Sequence, residues 1–239
     1  MEINEKVIIV TGASSGIGLA TARLLSKHGA RVALVARSAN LLEQAAAGLP
    51  GSFSVAADLT EIENIPQVIK RIHEHYGRID ALVNNAGRAM HIPVELGDVQ
   101  LYRKLLDLNV VSVLAAMQCV IPVMRAQGGG VIVNISSGLS KRIAPGVGLY
   151  ASTKYALNAI TLTARLELAK DNIRVGLMIP GRTYGTEFAN KAVSLHESPQ
   201  TWQASARSMG DSAEHVAEKI LEALQTEAAE VYADSIRPK

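Results

Sequence analysis

The chain has 239 residues, of which 48% are hydrophobic, 19% charged and only 4% aromatic. This is the composition of a folded globular protein, and the length suits one large α/β domain. The net charge of +2, without a long run of basic residues, together with the scarcity of aromatic rings, argues against a nucleic-acid partner.

Cysteine content and the N-terminal segment point to the cytoplasm. The single cysteine, Cys119, excludes an intramolecular disulfide and is expected to be a packing residue. The N-terminal residues lack the pattern of a signal peptide, and no apolar run reaches the ~20 residues of a membrane span. We therefore expect a cytoplasmic protein without a membrane partner.

Short β-branched runs alternate with longer segments of helical periodicity. In chain order, the sequence predicts strand 7–10, helix 16–28, strand 31–36, helix 41–47, strand 53–57, helix 62–76, strand 81–83, helix 99–125, strand 131–135, helix 149–170, strand 174–179, helix 213–225 and strand 230–236. This alternation predicts a single α/β domain over residues 1–239, with a doubly wound, Rossmann-type parallel sheet of seven strands and helices on both faces. The irregular segment at about 182–211 is expected to form a substrate flap.

A glycine-rich turn follows the first strand and opens the first helix. Its spacing is GxxxGxG rather than the usual GxGxxG of dinucleotide sites. Glycines allow close approach of the backbone to a pyrophosphate, whose charge is favoured at a helix N-terminus. The predicted cofactor contacts here are Gly12, Ser14, Ser15, Gly16, Ile17 and Gly18. Glycines also end strands for structural reasons alone, so this motif is weak by itself.

The end of the second strand favours NADP(H) over NAD(H). An acidic residue there would bind the adenosine ribose, but the sequence has Ala36, Arg37 and Ser38. Arg37 can pair with a 2′-phosphate by charge-assisted hydrogen bonds. The alternative is that Arg37 is an ordinary solvated surface residue.

Tyr150 and Lys154 are four residues apart and lie on one face of a predicted helix. A nearby ammonium is expected to lower the phenol pKa, so that Tyr150 can exchange a proton with a carbonyl or alcohol oxygen. Such a pair also arises by chance on a helix surface. Ser136 and Ser137, at the end of the fifth strand, add a hydroxyl that could hydrogen-bond the same oxygen.

Taken together, these motifs resemble those of the short-chain dehydrogenase/reductase family, in its single-domain, NADP-preferring branch. The resemblance covers residues 6–238. Its motifs are Thr11-Gly-x-x-x-Gly16-x-Gly18, Asp58-Leu59, Asn84-Asn85-Ala86-Gly87, Asn109, Ser137, Tyr150-x-x-x-Lys154 and Pro180-Gly181.

The resemblance implies roles for individual residues. Asp58, followed by Leu59, would contact the adenine; Asn85, Ala86 and Gly87 would line the cofactor; and Pro180 and Gly181 would lie beside the nicotinamide carboxamide. Asn109 would be the asparagine at a helix kink that holds a water in the proton relay. Ser137 would polarise the substrate; it is preferred to Ser136 because it lies thirteen residues before Tyr150, the usual separation in the family. Lys154 would also bind the nicotinamide ribose.

Two departures from the family pattern concern neighbouring positions. One extra residue follows Pro180-Gly181, so either Thr183 or Thr186 could contact the nicotinamide, and Thr186 is preferred. Ser112 stands where a glycine often follows Asn109-Val110. Neither departure touches the proposed catalytic set of Asn109, Ser137, Tyr150 and Lys154.

The expected activity is NADP(H)-dependent hydride transfer on a small-molecule carbonyl or alcohol, with no metal ligand in the site. A non-catalytic NADP(H) sensor on the same fold is the main alternative, and a ketoacyl-thioester reductase is another enzyme reading. The flap would line the substrate pocket with Tyr184, Phe188, Leu195, His196, Trp202 and Met209. Its positively charged residues are Arg182 and Arg207. The resemblance also implies a homodimer or homotetramer formed through the two long helices.

Overall fold

Seven parallel strands form the central sheet of the protein, whose computed structural model describes residues 1–188, 192–194 and 210–236. The strands are β1 (Val7–Thr11), β2 (Arg31–Ala36), β3 (Phe53–Ala56), β4 (Ala81–Asn84), β5 (Gly130–Ile135), β6 (Ile173–Ile179) and β7 (Glu230–Tyr232). Their order is β7-β6-β5-β4-β1-β2-β3, and every neighbouring pair is parallel. The chain winds outward in both directions from the boundary between β1 and β4. The predicted doubly wound, single-domain fold is therefore confirmed.

Helices cover both faces of this sheet. The described residues contain seven α-helices, namely α1 (Gly16–Lys27), α2 (Ala39–Ala46), α3 (Ile65–Tyr76), α4 (Val99–Leu106), α5 (Ser112–Ala126), α6 (Gly148–Leu168) and α7 (Ala213–Gln225). Side chains of α1, α2 and α7 pack with Ile8 and Val10 of β1, whereas those of α3, α5 and α6 pack with Ile9. Because both faces are buried, the strands read as continuous apolar runs instead of alternating ones.

Two helices begin or continue differently from the prediction. The predicted helix 62–76 begins as a 3₁₀ turn over Ile62–Asn64, and α3 follows with Pro66 in its first turn, where a missing N–H costs nothing. The predicted helix 99–125 is interrupted by a π-helical turn over Asp107–Val111. Such turns occur frequently at functional sites.

The last strand of the sheet is shorter than the predicted strand 230–236. Only Glu230–Tyr232 pairs with β6, and a 3₁₀ turn follows over Asp234–Ile236. The physical reason is that β6 ends at Ile179, so the chain has no further partner after Tyr232. Two unpredicted pairs of very short strands form separate small sheets: Thr183–Tyr184 with Asp211–Ser212, and Met90–His91 with Val193–Ser194.

The continuous helical stretch Val99–Ala126 is long and apolar enough to cross a membrane, with a mean hydropathy of 1.8 in its most apolar window. Length and composition are the only basis for this, and core helices of soluble proteins share both properties. In the structure, Val113, Met117, Val120 and Met124 of this stretch lie in the core against the sheet.

Candidate active site

The glycine-rich turn after β1 lines one end of a cavity of about 1100 Å³. Gly12 and Gly16 have φ angles of 65° and 55°, which other residues rarely adopt. A Cβ atom on Gly12 would lie 2.9 Å from Asn85 Nδ2 and 3.0 Å from Ala86 Cα. The turn can therefore approach its neighbours this closely only because it has no side chain there.

The N-terminus of α1 is suited to an anion. Its first turn contains no acidic residue, and the Ser15 side chain makes no capping hydrogen bond. The first N–H groups of a helix have no partner within it, and the helix dipole favours negative charge at this end. The cavity is lined here by Gly12, Ser14, Ser15, Gly16 and Ile17. These residues fit the pyrophosphate of a dinucleotide.

Gly18, also predicted to contact the cofactor, does not line the cavity. It is buried on the side of α1 that faces the turn. A Cβ atom on Gly18 would lie 2.3 Å from the Gly12 carbonyl oxygen and 2.6 Å from Asn85 Nδ2. Gly18 therefore lets α1 pack against the turn, and its direct contact with the cofactor stays a prediction.

Arg37, Asp58 and Leu59 line the far side of the same cavity, beyond the ends of β2 and β3. The Asp58 carboxylate accepts hydrogen bonds from the Thr60 backbone N–H at 2.9 Å and from the Thr60 hydroxyl at 2.8 Å. Arg37 Nη1 lies 4.0 Å from Asp58 Oδ2. Burial opposes ionisation of Asp58, but the Thr60 hydrogen bonds and Arg37 outweigh it and hold the carboxyl pKa below its usual value.

Thr11, at the end of β1, holds the segment after β4 in place. Its hydroxyl accepts hydrogen bonds from the backbone N–H groups of Asn85 and Ala86, both at 2.9 Å. Asn85 Nδ2 donates in turn to the Thr11 carbonyl at 2.8 Å. Asn85, Ala86 and Gly87 consequently line the cavity, and their contact with the cofactor stays a prediction. Sequence reasoning assigned no role to Thr11, although its place just before Gly12 was a usable signal.

Ser137, Tyr150 and Lys154 meet on the wall at the other end of the cavity. Ser137 follows β5, and its hydroxyl lies close enough to the Tyr150 phenol to act on the pKa of that group. Tyr150 and Lys154 lie one turn apart on α6 and are 6% and 5% exposed. Lys154 Nζ donates a hydrogen bond of 2.9 Å to the Ile135 carbonyl, which fixes the amine at the end of β5.

The pKa values of this pair differ from the expectation. Burial raises the pKa of Tyr150 to about 12, against a smaller lowering by the Ser137 hydroxyl. Burial also lowers the pKa of Lys154 to about 8. In the chain by itself, therefore, the Tyr150 pKa is raised and not lowered, because the cost of burying a phenolate is larger than the lowering by the Ser137 hydroxyl.

Asn109 lies in the π-helical turn and is fully buried, outside the cavity wall. Its Oδ1 atom accepts a hydrogen bond from the Arg88 N–H, and its Nδ2 atom donates to the Arg88 carbonyl, both at 2.9 Å. A further bond of 3.1 Å runs from Nδ2 to the Thr153 hydroxyl on α6. The side chain thus joins the helix of Tyr150 to the segment after Gly87.

Pro180, Gly181, Thr183 and Thr186 line the cavity beyond β6. Thr186 also faces the glycine-rich turn, since a Cβ atom on Gly16 would lie 3.2 Å from the Thr186 Cβ atom. Thr183 and Thr186 both line the cavity, and of the two Thr186 is the one that faces the glycine-rich turn.

Phe188 covers Tyr150, with ring centroids 6.1 Å apart and an angle of 63° between the ring planes. Tyr184, Phe188 and Arg182 are the only residues named for the predicted flap that fall within the described ranges. Leu195, His196, Trp202, Arg207 and Met209 lie outside the described residues. Within the part of the chain that the structure describes, no group of three or more His, Cys, Asp or Glu side chains is arranged to hold a metal ion.

Comparisons with known proteins agree with this geometry. The profile of the family described as short chain dehydrogenase matches residues 6–196. An uncharacterised oxidoreductase of Staphylococcus epidermidis is 34% identical over 196 residues, which cover 80% of this chain and 85% of that protein.

Solved structures of the same fold hold different nicotinamide cofactors. L-Sorbose reductase of Gluconobacter frateurii, complexed with NADPH and L-sorbose, has a TM-score of 0.85 at 26% identity, and all of both chains is covered. NAD⁺-bound xylitol dehydrogenase has a TM-score of 0.86 at 27% identity, covering 97% of this chain and 98% of that one. The family match, the relative and the parallel sheet lead to one assignment: the chain belongs to the short chain dehydrogenase family.

Proposed function

We propose that the protein is an NADP(H)-dependent oxidoreductase that interconverts a carbonyl compound and its alcohol, with Tyr150 as the proton-transfer residue. The observation that carries the proposal is a single cavity with the glycine-rich turn at one end and Ser137, Tyr150 and Lys154 at the other. Its volume of about 1100 Å³ is that of a large ligand site, sufficient for a dinucleotide with a small substrate beside it.

In the reductive direction, Ser137 and Tyr150 act on one substrate oxygen. The bound cofactor supplies the hydride that adds to the carbonyl carbon. The Ser137 hydroxyl donates a hydrogen bond to the oxygen as negative charge develops on it. With a pKa of about 12, the Tyr150 phenol is protonated at neutral pH and can donate its proton to the same oxygen, giving the alcohol.

Lys154 and Asn109 complete the proton transfer. With a pKa of about 8, most Lys154 amines are charged at pH 7, and this charge stabilises the phenolate left on Tyr150. The role of Asn109 as the holder of a relay water, and that of Lys154 as a ribose ligand, remain part of this proposal. The role of Lys154 is supported by its place on the cavity wall with Tyr150, where the hydrogen bond to the Ile135 carbonyl holds the amine.

The preference for NADP(H) rests on Arg37. The end of β2 contributes no carboxylate to repel a 2′-phosphate, and Arg37 brings a guanidinium to the cavity wall. Asp58, the nearest carboxylate, is already held by Thr60 and lies 4.0 Å from Arg37. L-Sorbose reductase is a relative in fold that binds NADPH, whereas NAD⁺-bound xylitol dehydrogenase is the counterexample, so binding of both cofactors must be compared.

The wall around Tyr150 suggests a substrate with apolar parts. Met90, Leu139, Val147 and Phe188 line this end of the cavity. Such a lining favours a carbonyl compound that buries hydrocarbon surface beside Ser137 and Tyr150.

Assembly into a dimer or tetramer is part of the proposal. Large apolar side chains on the long helices are exposed, among them Leu101 on α4, Leu114 on α5 and Leu166 on α6, the last at 80%. Where exposed apolar side chains adjoin one another on a surface, they often mark a protein–protein interface. Sedimentation velocity measures the assembly directly, and a monomer at micromolar concentration would contradict it.

The test of the function is a pair of tyrosine variants assayed with NADPH against cyclohexanone, benzaldehyde and ethyl acetoacetate. Tyr150→Phe should lose nearly all turnover and keep its affinity for NADPH, whereas the half-exposed neighbour variant Tyr155→Phe should keep both. If Tyr150→Phe retained more than about a tenth of kcat, a barrier increase below ~1.4 kcal/mol, the assigned role would be wrong. NADPH binding without turnover on any carbonyl would indicate a sensor.

A further inference from the structure

Three buried polar side chains lie directly beneath Ser137. They are Ser136 on the same strand end, Ser140 in the following 3₁₀ turn and Asn158 on α6, with exposed fractions of 2%, 1% and 7%. Ser136 Oγ lies 2.6 Å from Asn158 Oδ1, Asn158 Nδ2 lies 2.9 Å from Ser140 Oγ, and Ser140 Oγ lies 2.6 Å from the Ser137 carbonyl oxygen. Buried groups of this kind must be paired, and here each has a partner.

The direction of donation in this series of hydrogen bonds can be assigned. A carbonyl can only accept, so Ser140 gives its one hydroxyl proton to Ser137 and must accept from Asn158 Nδ2. The amide oxygen of Asn158 then faces Ser136, which donates its own proton to it. A reversed amide would require Ser140 to donate to Asn158, and the Ser137 carbonyl would lose this bond. Ser136 Oγ also lies 3.0 Å from Ser140 Oγ, so Ser136, Asn158 and Ser140 contact one another in a closed set. The donors lead from Ser136 and Asn158 through Ser140 to the Ser137 carbonyl.

Asn158 connects the two halves of the proposed catalytic set. It lies four residues after Lys154 and eight after Tyr150, so the three side chains share one side of α6. At the other end of the chain of bonds, the Ser137 carbonyl accepts from both the backbone N–H of Ser140 at 2.8 Å and its hydroxyl at 2.6 Å. The backbone of Ser137 thus takes its position from α6, the helix that carries its partner Tyr150.

We propose that Asn158 is a positioning residue which, through Ser140, holds the Ser137 hydroxyl against the Tyr150 phenol. The inference rests on the proposed function, because the aligned pair matters only if both groups act on one substrate oxygen. Asn158 and Ser140 touch neither substrate nor cofactor in this scheme. A purely structural role, in which the bonds only anchor α6 to the sheet, makes a different prediction.

Another buried hydroxyl on α6 provides the matched control. Thr161 Oγ1 accepts a hydrogen bond of 2.9 Å from Asn134 Nδ2 at the end of β5 and is 0% exposed. Thr161→Val and Ser140→Ala each remove one buried hydroxyl that joins α6 to the strand end, and each leaves a buried amide N–H without that acceptor. Only Ser140→Ala removes a donor from the Ser137 carbonyl.

The experiment measures the single-turnover rate of NADPH oxidation, with the fastest carbonyl of the panel above, together with the NADPH Kd and the thermal midpoint of each variant. Ser140→Ala and Asn158→Ala should each slow hydride transfer about tenfold or more, since small displacements of reacting groups have effects of this size. Their NADPH Kd should stay within about twofold of wild type. The double variant should be no slower than the slower single variant, because both act through one chain of bonds.

Thr161→Val should lose a similar amount of thermal stability and slow hydride transfer less than about twofold. Equal slowing of Ser140→Ala and Thr161→Val would overturn the positioning role while the proposed function stands. Should Asn158→Ala fail to fold, the comparison of Ser140→Ala with Thr161→Val decides the question. If the wild-type protein reduced no carbonyl, the proposed function would fall, and this inference with it.

Discussion

Replacing Lys154 with methionine should stabilise the protein at neutral pH while abolishing its turnover. Burial lowers the pKa of Lys154 from 10.5 to about 8, and each pH unit is worth ~1.4 kcal/mol, so charging this amine in the folded protein costs about 3 kcal/mol. Methionine avoids this cost but loses the hydrogen bond to the Ile135 carbonyl, worth about 1 kcal/mol. The net gain for Lys154→Met is therefore about 2 kcal/mol at pH 7.

The sign of this effect should change with pH. Below pH 8 the amine is charged in both the folded and unfolded states, so wild type bears the full cost. Between pH 8 and 10.5 the unfolded chain binds more protons than the folded one, and wild-type stability rises relative to the variant. Above 10.5 the cost is gone, and the variant should be less stable by about 1 kcal/mol.

Urea unfolding of wild type and Lys154→Met, at fixed protein concentration across this pH range, measures the difference. Lys70→Met is the matched control, because Lys70 lies 64% exposed on α3 beside Glu74, and its effect on stability should be small. A Lys154→Met protein no more stable than wild type at pH 7, or a difference that stayed constant from pH 8 to 10.5, would refute the reasoning.

Three further substitutions test the cofactor and proton-transfer ends of the site. Arg37→Ala should weaken NADPH binding roughly thirtyfold, the equivalent of about 2 kcal/mol for a charge-assisted contact, and leave NADH binding unchanged in a fluorescence titration. Phe188→Ala should admit water to Tyr150 and lower its pKa from about 12 toward its ordinary value of 10.0, so that reductive kcat/KM is lost at a lower pH. Gly18→Ala should destabilise the fold by about 3 kcal/mol in chemical denaturation, because the new Cβ meets the Gly12 carbonyl.

Each of these has a control elsewhere in the chain. Arg71→Ala removes an exposed cation from α3 and should not change the ratio of NADPH to NADH affinity. Ile143→Ala alters an exposed side chain on the cavity wall, and an equal shift of the pH profile in this variant would contradict the shielding role of Phe188. Gly48→Ala adds a methyl group where no atom lies within 4 Å, so comparable destabilisation there would exclude steric conflict as the cause at Gly18.

Much of the fold follows from local pattern. The apolar runs of β1, β2, β5 and β6 could be recognised because strands buried on both faces contain few polar residues. The π-helical turn at Asp107–Val111 could not be recognised from periodicity, and only the family resemblance, through Asn109, indicated a kink there. The end of β7 depends on where β6 stops, which is a property of the partner strand.

The site divides in the same way. The sequence by itself determined which residues are present for the chemistry: the glycine-rich turn, Arg37, Ser137 and the Tyr150–Lys154 pair have fixed spacing and follow strands whose ends share one edge of the sheet. Tertiary structure alone decided their environment. The raised pKa of Tyr150, its cover by Phe188 and the packing role of Gly18 each depend on atoms far apart in the chain. So does the chain of hydrogen bonds from Asn158 to Ser137, because burial and directed contacts arise only when separate segments meet.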